Sequence, residues 1–393
     1  LPWTFRVIDD PTVNAFALPG GFIYVTRGIM THLSTEAELV SVLGHEIGHV
    51  TARHSVNQIS KQQLFGLGLG IGSILSPEIA ALGDLASTGL GLLFLKYSRD
   101  DERQADDLGL RYSLKTGYDP REGPEVFTVL NRVSEAAGGG RLPGYLSTHP
   151  DPLERRQRLL DQIASLDRSF ADATVNRGPY LRRLDGMVFG PNPREGFFEG
   201  GLFQHPDLEF KLEFPDEWRT VNQKTVVAGI SPPEDAIVQL GLAKEDDVTA
   251  AARAFAGQEG LEAGTVQGTR VNGLPAATVA FAGDTSSGRL RGIATFLRYR
   301  DNTYRLLGYT AEDKWNGYSR TFRGFIGSFD RLTDRRALSV QPARVQIVEL
   351  EKTLPLTEFE SRYPSSIPLG TLALINHVEE NGSIPGGVGA KRV

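Results

Sequence analysis

The sequence of 393 residues contains no cysteine. Disulfides and thiolate metal sites are therefore excluded, and any zinc site must be built from His and carboxylate ligands. No block of basic residues stands out in a chain of net charge −6 at pH 7, which argues against nucleic-acid binding. No uninterrupted apolar run reaches the roughly 20 residues of a membrane-spanning helix. The nearest approach is Leu64 to Leu95, but Ser76-Pro77-Glu78 and Asp84 break it. It reads as two short apolar helices near the candidate site, with peripheral membrane contact the lesser reading. The Gly66-Leu67-Gly68-Leu69-Gly70 run lacks the G-x-G-x-x-G spacing and follows a helix rather than a strand, so it is no dinucleotide site. The chain opens on Leu1 with neither Met, a basic n-region nor an apolar h-region, as expected of a processed or a trimmed chain.

What is present is an ordinary globular composition, 40% hydrophobic and 23% charged, with room for two or three domains. One stretch carries chemistry: His45-Glu46-Ile47-Gly48-His49. Thr35 and Glu38 form a capping-box pair that predicts a helix start. Leu39, Val40, Leu43, Ile47 and Val50 follow at helical spacing and predict its buried side. His45 and His49, four residues apart, project from one face, where two imidazoles can hold one metal ion. Glu46 stands beside that ion rather than on it, as a general base must. H-E-x-x-H also arises by chance on helices, so a metal site requires a third ligand elsewhere.

The candidate is a later acidic helix, capped by Ser98 and stopped by Gly117. Glu102 and Asp106 share one of its faces. Glu102 would complete a His/His/Glu set, and Asp106 would accept the second ring N–H of a bound His, with His45 the expected partner. Read alone, such a face is more readily a solvated or i,i+4-paired one. A third His at the metzincin spacing is excluded, because Ala52 and Ser55 stand where Gly and His are required. His54 is off register by one and reads as an ordinary polar helix residue. Upstream, Phe5 to Asp9 and Phe22 to Thr26 are strand-like, with a turn at Leu18-Pro19-Gly20-Gly21. Asn14-Ala15-Phe16-Ala17 reads as an edge strand or a plain hairpin arm.

Four motifs occur in order: Asn14-Ala15-Phe16-Ala17-Leu18-Pro19-Gly20-Gly21; His45-Glu46-Ile47-Gly48-His49-Val50; Ser98-Arg99-Asp100-Asp101-Glu102 with Ala105-Asp106; and Ser147-Thr148-His149-Pro150. Over about residues 1 to 165 the chain resembles the HtpX/BepA-like zinc endopeptidases, the gluzincins of metallopeptidase family 48 that also include the CAAX prenyl endopeptidases. The resemblance implies one zinc ion per chain bound by His45, His49 and Glu102, with Glu46 as the base. It implies that Asn14, Ala15, Phe16 and Ala17 line the substrate cleft. It places His149 facing the metal, as an auxiliary ligand that can block it or as a donor to the reacting carbonyl. Arg155 falls at the family's Arg position and would orient His149 or stabilise an oxyanion. Gly138-Gly139-Gly140 could be a hinge for this loop. Several members carry transmembrane helices between the motifs; this chain shows only the short Gly-rich segment there.

Beyond residue 175, Arg177-Gly178-Pro179 and Gly190-Pro191-Asn192-Pro193 read as breakers. The expected organisation is a peptidase domain over 1–175, with Pro152 to Leu166 a helix turning Leu153, Leu159, Leu160 and Ile163 inward. A linker over 176–200 follows, then an antiparallel module over 201–335 and a third unit over 342–393. Phe214-Pro215-Asp216-Glu217-Trp218 and Ile326-Gly327-Ser328-Phe329 look like the ends of a PsbP/Mog-type sandwich. Residues 342–393 are similar to a LysM module, a βααβ fold that binds N-acetylglucosamine polymers in many envelope proteins; Glu351-Lys352 replaces the usual Gly-Asp. The fold class expected is α+β and multidomain, with a mainly helical catalytic part carrying a small edge sheet.

The function expected is zinc-dependent hydrolysis of peptide bonds in unfolded or misfolded polypeptides. The resemblance suggests the bacterial cell envelope, periplasmic or membrane-associated, with peptidoglycan contact open to the last unit. The alternatives are a self-blocked zinc protein acting as a binding or chaperone-like factor, and a cell-wall amidase.

Overall fold

The computed structural model describes residues 1–57, 97–136, 145, 148–149, 151–285 and 288–393. The segment Leu64 to Leu95 and the Gly138–Gly140 hinge lie outside the described residues. The fold is mixed helix and sheet, in two compact units: Leu1–Pro191 together with Pro342–Val393, and Asn192–Gln341.

The first unit opens on a three-stranded sheet, β1 (Thr4–Ile8), β2 (Ala15–Leu18) and β3 (Phe22–Thr26), in the order β1-β3-β2. β2 runs antiparallel to β3 and forms one edge of that sheet. Gly20 and Gly21 take φ of 101° and 95° in the connection, a region costly for side chains with a Cβ. Helix α1 (Arg27–His32) then leads to α2 (Glu36–Thr51). The Thr35 side chain accepts from the Glu38 N–H, and the Glu38 carboxylate accepts from the Ser34 and Thr35 N–H groups. This fixes where α2 starts, and hence which side chains share a face.

Helix α3 (Arg99–Thr116) repeats the device with Ser98 and Asp101, and ends at Gly117 with φ 79°. A Cβ on Gly48 would lie 2.9 Å from the Ala105 carbonyl oxygen, and one on Gly44 would lie 3.2 Å from the Gly109 Cα. Small residues on both helices thus bring α2 and α3 into close backbone contact. The consequence corrects the expected buried side of α2. Leu39, Val40, Leu43, Ile47 and Val50 are only half-buried, whereas Gly44, His45, Glu46, Gly48 and His49 are fully buried. The helix turns its functional face inward because the glycines let α3 cover it.

Helices α4 (Gly123–Ala136) and α5 (Pro152–Ala164) close the core with Val126, Phe127, Leu130, Leu159 and Ile163. Leu153, expected inward, is 58% exposed: it sits in the first turn, beside the Pro152 that starts the helix. The expected linker over 176–200 instead contains α6 (Arg177–Leu184), with Tyr180, Leu181 and Leu184 in the same core. Pro179 occupies the first turn of α6, where a missing N–H costs nothing, so it does not break the helix.

Residues 342–393 pair the strands Gln346–Leu350 and Val388–Arg392 antiparallel around helices Leu356–Arg362 and Leu369–Ile375. They belong to the first unit rather than standing apart. The Lys391 ammonium is fully buried and donates to the Thr31 and Leu33 carbonyls at 3.1 and 2.7 Å. Val345 exchanges backbone hydrogen bonds with Gly186 and Met187.

The second unit is antiparallel. Its main sheet has eight strands among the described residues, with the long strands Leu274–Thr285, Gly288–Tyr299 and Asn302–Ala311 at its centre. Four shorter strands form a second sheet. Helix Trp315–Gly327 buries Phe322, Phe325 and Ile326 in the core with Tyr304 and Leu306. Among the described residues, no group of potential metal ligands falls in this unit.

Candidate metal centre

His45 and His49 leave α2 one turn apart, and Glu102 leaves α3 opposite them. His45 Nε2 and His49 Nε2 lie 2.9 Å apart. Glu102 Oε2 is 3.6 Å from His45 Nε2, and Glu102 Oε1 is 3.4 Å from His49 Nε2. His149 joins them, its Nδ1 3.2 Å from His45 Nε2 and 2.8 Å from Glu102 Oε1. The four side chains are buried, and one ligand atom from each lies within 4.8 Å of the others. Ligands bound at zinc distances in a tetrahedron are about 3.3 Å from one another, and these separations bracket that value.

The charge balance favours the same conclusion. Glu46, Glu102 and Asp106 are all buried, with the Arg155 guanidinium paired to Glu102 and Asp106. Buried charge must be compensated, and a divalent cation would do so. Burial pushes the His49 imidazole well below its usual pKa, toward the neutral form a metal requires. Burial acts to raise the Glu102 carboxyl, but His149 and Arg155 beside it hold it well below the usual carboxylate range. His149 is lowered by burial and raised more by Glu102 and Glu46, so its pKa lies above the usual value. The residues present therefore fit a metal ion.

Glu46 is 0% exposed, and among the described residues neither of its carboxylate oxygens has a hydrogen-bond partner. His149 Nε2 stands 3.6 Å from its Oε1. Burial pushes the Glu46 carboxyl up, against the opposing influence of His149 and His45. A buried carboxylate without donors is costly unless it has a task.

Asp106 Oδ1 lies 2.9 Å from His45 Nδ1. Arg155 also holds Asp106, from Nε at 2.9 Å and Nη2 at 2.7 Å, and its Nη1 pairs with Glu102 Oε2 at 2.6 Å. Its guanidinium lies 4.7 Å from the centre of the Phe127 ring. The expectation that Arg155 orients His149 or an oxyanion is thus corrected: its carboxylate hydrogen bonds go to Asp106, and it forms an ion pair with Glu102. Those carboxylates are its natural partners because both face the core from α3, where α5 packs.

The His149 segment is tied to the rest of the site. Tyr145 stacks on His149 at 4.3 Å, and its N–H donates to Val13, next to the β2 edge. Tyr97 stacks on His49 at 3.9 Å. Of the fourth motif, Ser147 and Pro150 lie outside the described residues. Along β2, Ala15 and Ala17 are buried and Asn14 and Phe16 half-buried; β2 packs on α2.

Sequence reasoning missed His54. It is 2% exposed, and its Nδ1 lies 2.9 Å from His49 Nδ1. α2 ends at Thr51, and Arg53 then takes φ 60°, which turns His54 back onto the helix. No sequence signal announces a left-handed Arg. Tyr97 and Tyr145 were likewise not singled out.

Comparison with known proteins agrees with this geometry. Residues 1–163 match the model of peptidase family M48. The chain is 39% identical over 165 residues to the mitochondrial metalloendopeptidase OMA1 of Arabidopsis thaliana, covering 41% of this chain and 32% of that protein. It is 34% identical over 165 residues to the beta-barrel assembly-enhancing protease of Escherichia coli K12, covering 39% and 33%. The chain thus spans about a third of the length of these curated relatives. Among solved structures, the cyanobacterial PsbP of Synechocystis aligns over 35% of this chain and 95% of its own, at 17% identity and a TM-score of 0.28, a similarity too slight to assign a fold. Residues 1–163, which carry the metal cluster, are thus the part of the chain that matches peptidase family M48, and the relatives similar over this stretch include metalloendopeptidases.

Proposed function

We propose that the chain is a zinc-dependent endopeptidase that acts on unfolded polypeptides. The observation that carries this reading is Glu46: a buried carboxylate whose two oxygens have no hydrogen-bond partner among the described residues, one residue from a convergent His/His/Glu set. Zinc suits two imidazoles and a carboxylate in a chain that has no thiolate to offer. His45, His49 and Glu102 would hold it, with Asp106 fixing the His45 ring.

When bound, zinc supplies a Lewis acid that polarises a carbonyl and lowers the pKa of water. Glu46, raised by burial, accepts a proton from the attacking water as its oxygen bonds to the scissile carbon. As the C–N bond breaks, Glu46 delivers that proton to the amine nitrogen. His149 would serve as a fourth ligand at rest, and its Nε2 would otherwise be free to donate to the carbonyl oxygen. Arg155 keeps Glu102 and Asp106 ionised and in place. An extended substrate adds to the β2 edge, beside Asn14 to Ala17, by main-chain hydrogen bonds.

Relatives named for enhancing β-barrel assembly motivate a role in cell-envelope protein quality control. The two helices of residues 346–392, flanked by the paired strands Gln346–Leu350 and Val388–Arg392 and by a shorter pair, Leu354–Pro355 and Ser383–Ile384, support the LysM-like reading of that segment. Its burial against the peptidase core suits a fixed docking element better than a free glycan-binding module.

A second reading is favoured by His149, which completes the ligand quartet: a self-blocked zinc protein that binds unfolded chains without cutting them. Casein cleavage by the wild type and by Glu46→Gln separates the two. The endopeptidase reading predicts one zinc in both proteins and a fall in rate of ~10²–10⁴ in the variant. Equal handling of casein by both proteins would favour the binding factor.

A further inference from the structure

The two imidazoles of the proposed metal set are held differently at their outer nitrogens. His45 Nδ1 faces a carboxylate, Asp106, at 2.9 Å. His49 Nδ1 faces another imidazole, with His54 Nδ1 at 2.9 Å. His54 Nε2 in turn lies 2.9 Å from Gln104 Oε1 and 3.6 Å from Asp101 Oδ1. The His49 and His54 rings meet edge to face, with centroids 5.0 Å apart. Gln104 is two residues beyond Glu102, so α3 supplies the third ligand and also the far end of this chain of contacts.

The proton positions follow by elimination. To offer a lone pair at Nε2, neutral His49 must carry its proton on Nδ1. That proton points at His54 Nδ1, which must then accept. His54 therefore carries its own proton on Nε2, facing an amide oxygen that can only accept. One assignment satisfies every contact from the metal face to Gln104. A neutral acceptor also holds His49 without placing a fourth carboxylate beside Glu46, Glu102 and Asp106.

We propose that His54 is a positioning residue for the metal: through an imidazole–imidazole–amide chain it fixes the tautomer and orientation of His49. The inference rests on the zinc reading above. Gln104 is exposed, so water can replace it, and His54 is the member of the chain that cannot be substituted from solvent.

The test uses the full chain loaded with zinc, and measures the rate of zinc loss to excess EDTA. In His54→Phe the ring volume stays and the acceptor goes; zinc should leave ~10–100-fold faster, the usual cost of losing a group that orients a ligand. In His54→Asn the side-chain oxygen sits where Nδ1 was, and zinc retention should stay close to the wild type. Equal rates in the wild type and His54→Phe, or Asn failing as Phe does, would overturn the proposal while the zinc reading stands. A wild type that binds no zinc sinks both. Should His54→Phe not fold, the ¹⁵N spectrum of the zinc-loaded wild type decides: His54 should show an unprotonated Nδ1 and a protonated Nε2, and the reverse tautomer refutes the proposal.

Discussion

The two ends of α2 both bury clusters of ionisable side chains, yet they are built to opposite rules. At the N-terminal end, Glu38 accepts from Ser34 and Thr35 and lies 3.3 Å from His377, whose other nitrogen reaches the His32 carbonyl. Lys391 beside them donates to two carbonyls. Each charged group there is used up by its neighbours. At the other end, His45, His49, Glu102 and His149 point ligand atoms at one another, and Glu46 has no hydrogen-bond donor among the described residues. Buried ionisable groups alone do not mark a site; groups whose capacity is left over do.

Three substitutions probe that contrast, beginning with the largest effect. Arg155→Met removes the guanidinium paired with Glu102 and Asp106, leaving two buried carboxylates without it. Breaking buried pairs in this way costs ~3–5 kcal/mol, which urea unfolding of the metal-free protein would show. An unchanged midpoint would mean that the functional end is as self-satisfied as the structural one.

At the structural end, burial lowers the Lys391 ammonium to about 7. Between that value and the ordinary lysine pKa, the unfolded chain binds the proton and the folded chain does not, so stability rises with pH across that window. Relative to Lys391→Met, the wild type should gain up to ~4 kcal/mol between pH 7 and 10. Parallel stability curves for the two proteins would contradict this. Asp106→Asn sharpens the comparison with the smallest change: the fold should persist while zinc binds ~10–100-fold more weakly, because His45 loses its carboxylate. Competition with a chelator measures it, and unaltered affinity would remove Asp106 from the metal's support.

Much of the site could be read from the chain before any coordinates. The i, i+4 spacing of His45 and His49, and of Glu102 and Asp106, works because each helix announces its own start through Thr35–Glu38 and Ser98–Asp101. The rest depended on how the helices pack. That the polar face of α2 is the buried one follows from Gly44 and Gly48 meeting Gly109 and Ala105, a pairing between segments more than 50 residues apart. The partners of Arg155 depend on where α5 meets α3. His54 returns to His49 only through the left-handed turn at Arg53. The run at 177–179 looked like a breaker because Pro, which interrupts a helix interior, is equally at home in a first turn.

The most direct measurement is X-ray absorption at the zinc edge of the purified wild-type chain. The account predicts one zinc per chain with four N/O neighbours at about 2.0–2.1 Å and at least two imidazoles among them. Substoichiometric zinc, or a shell without imidazole, would contradict it.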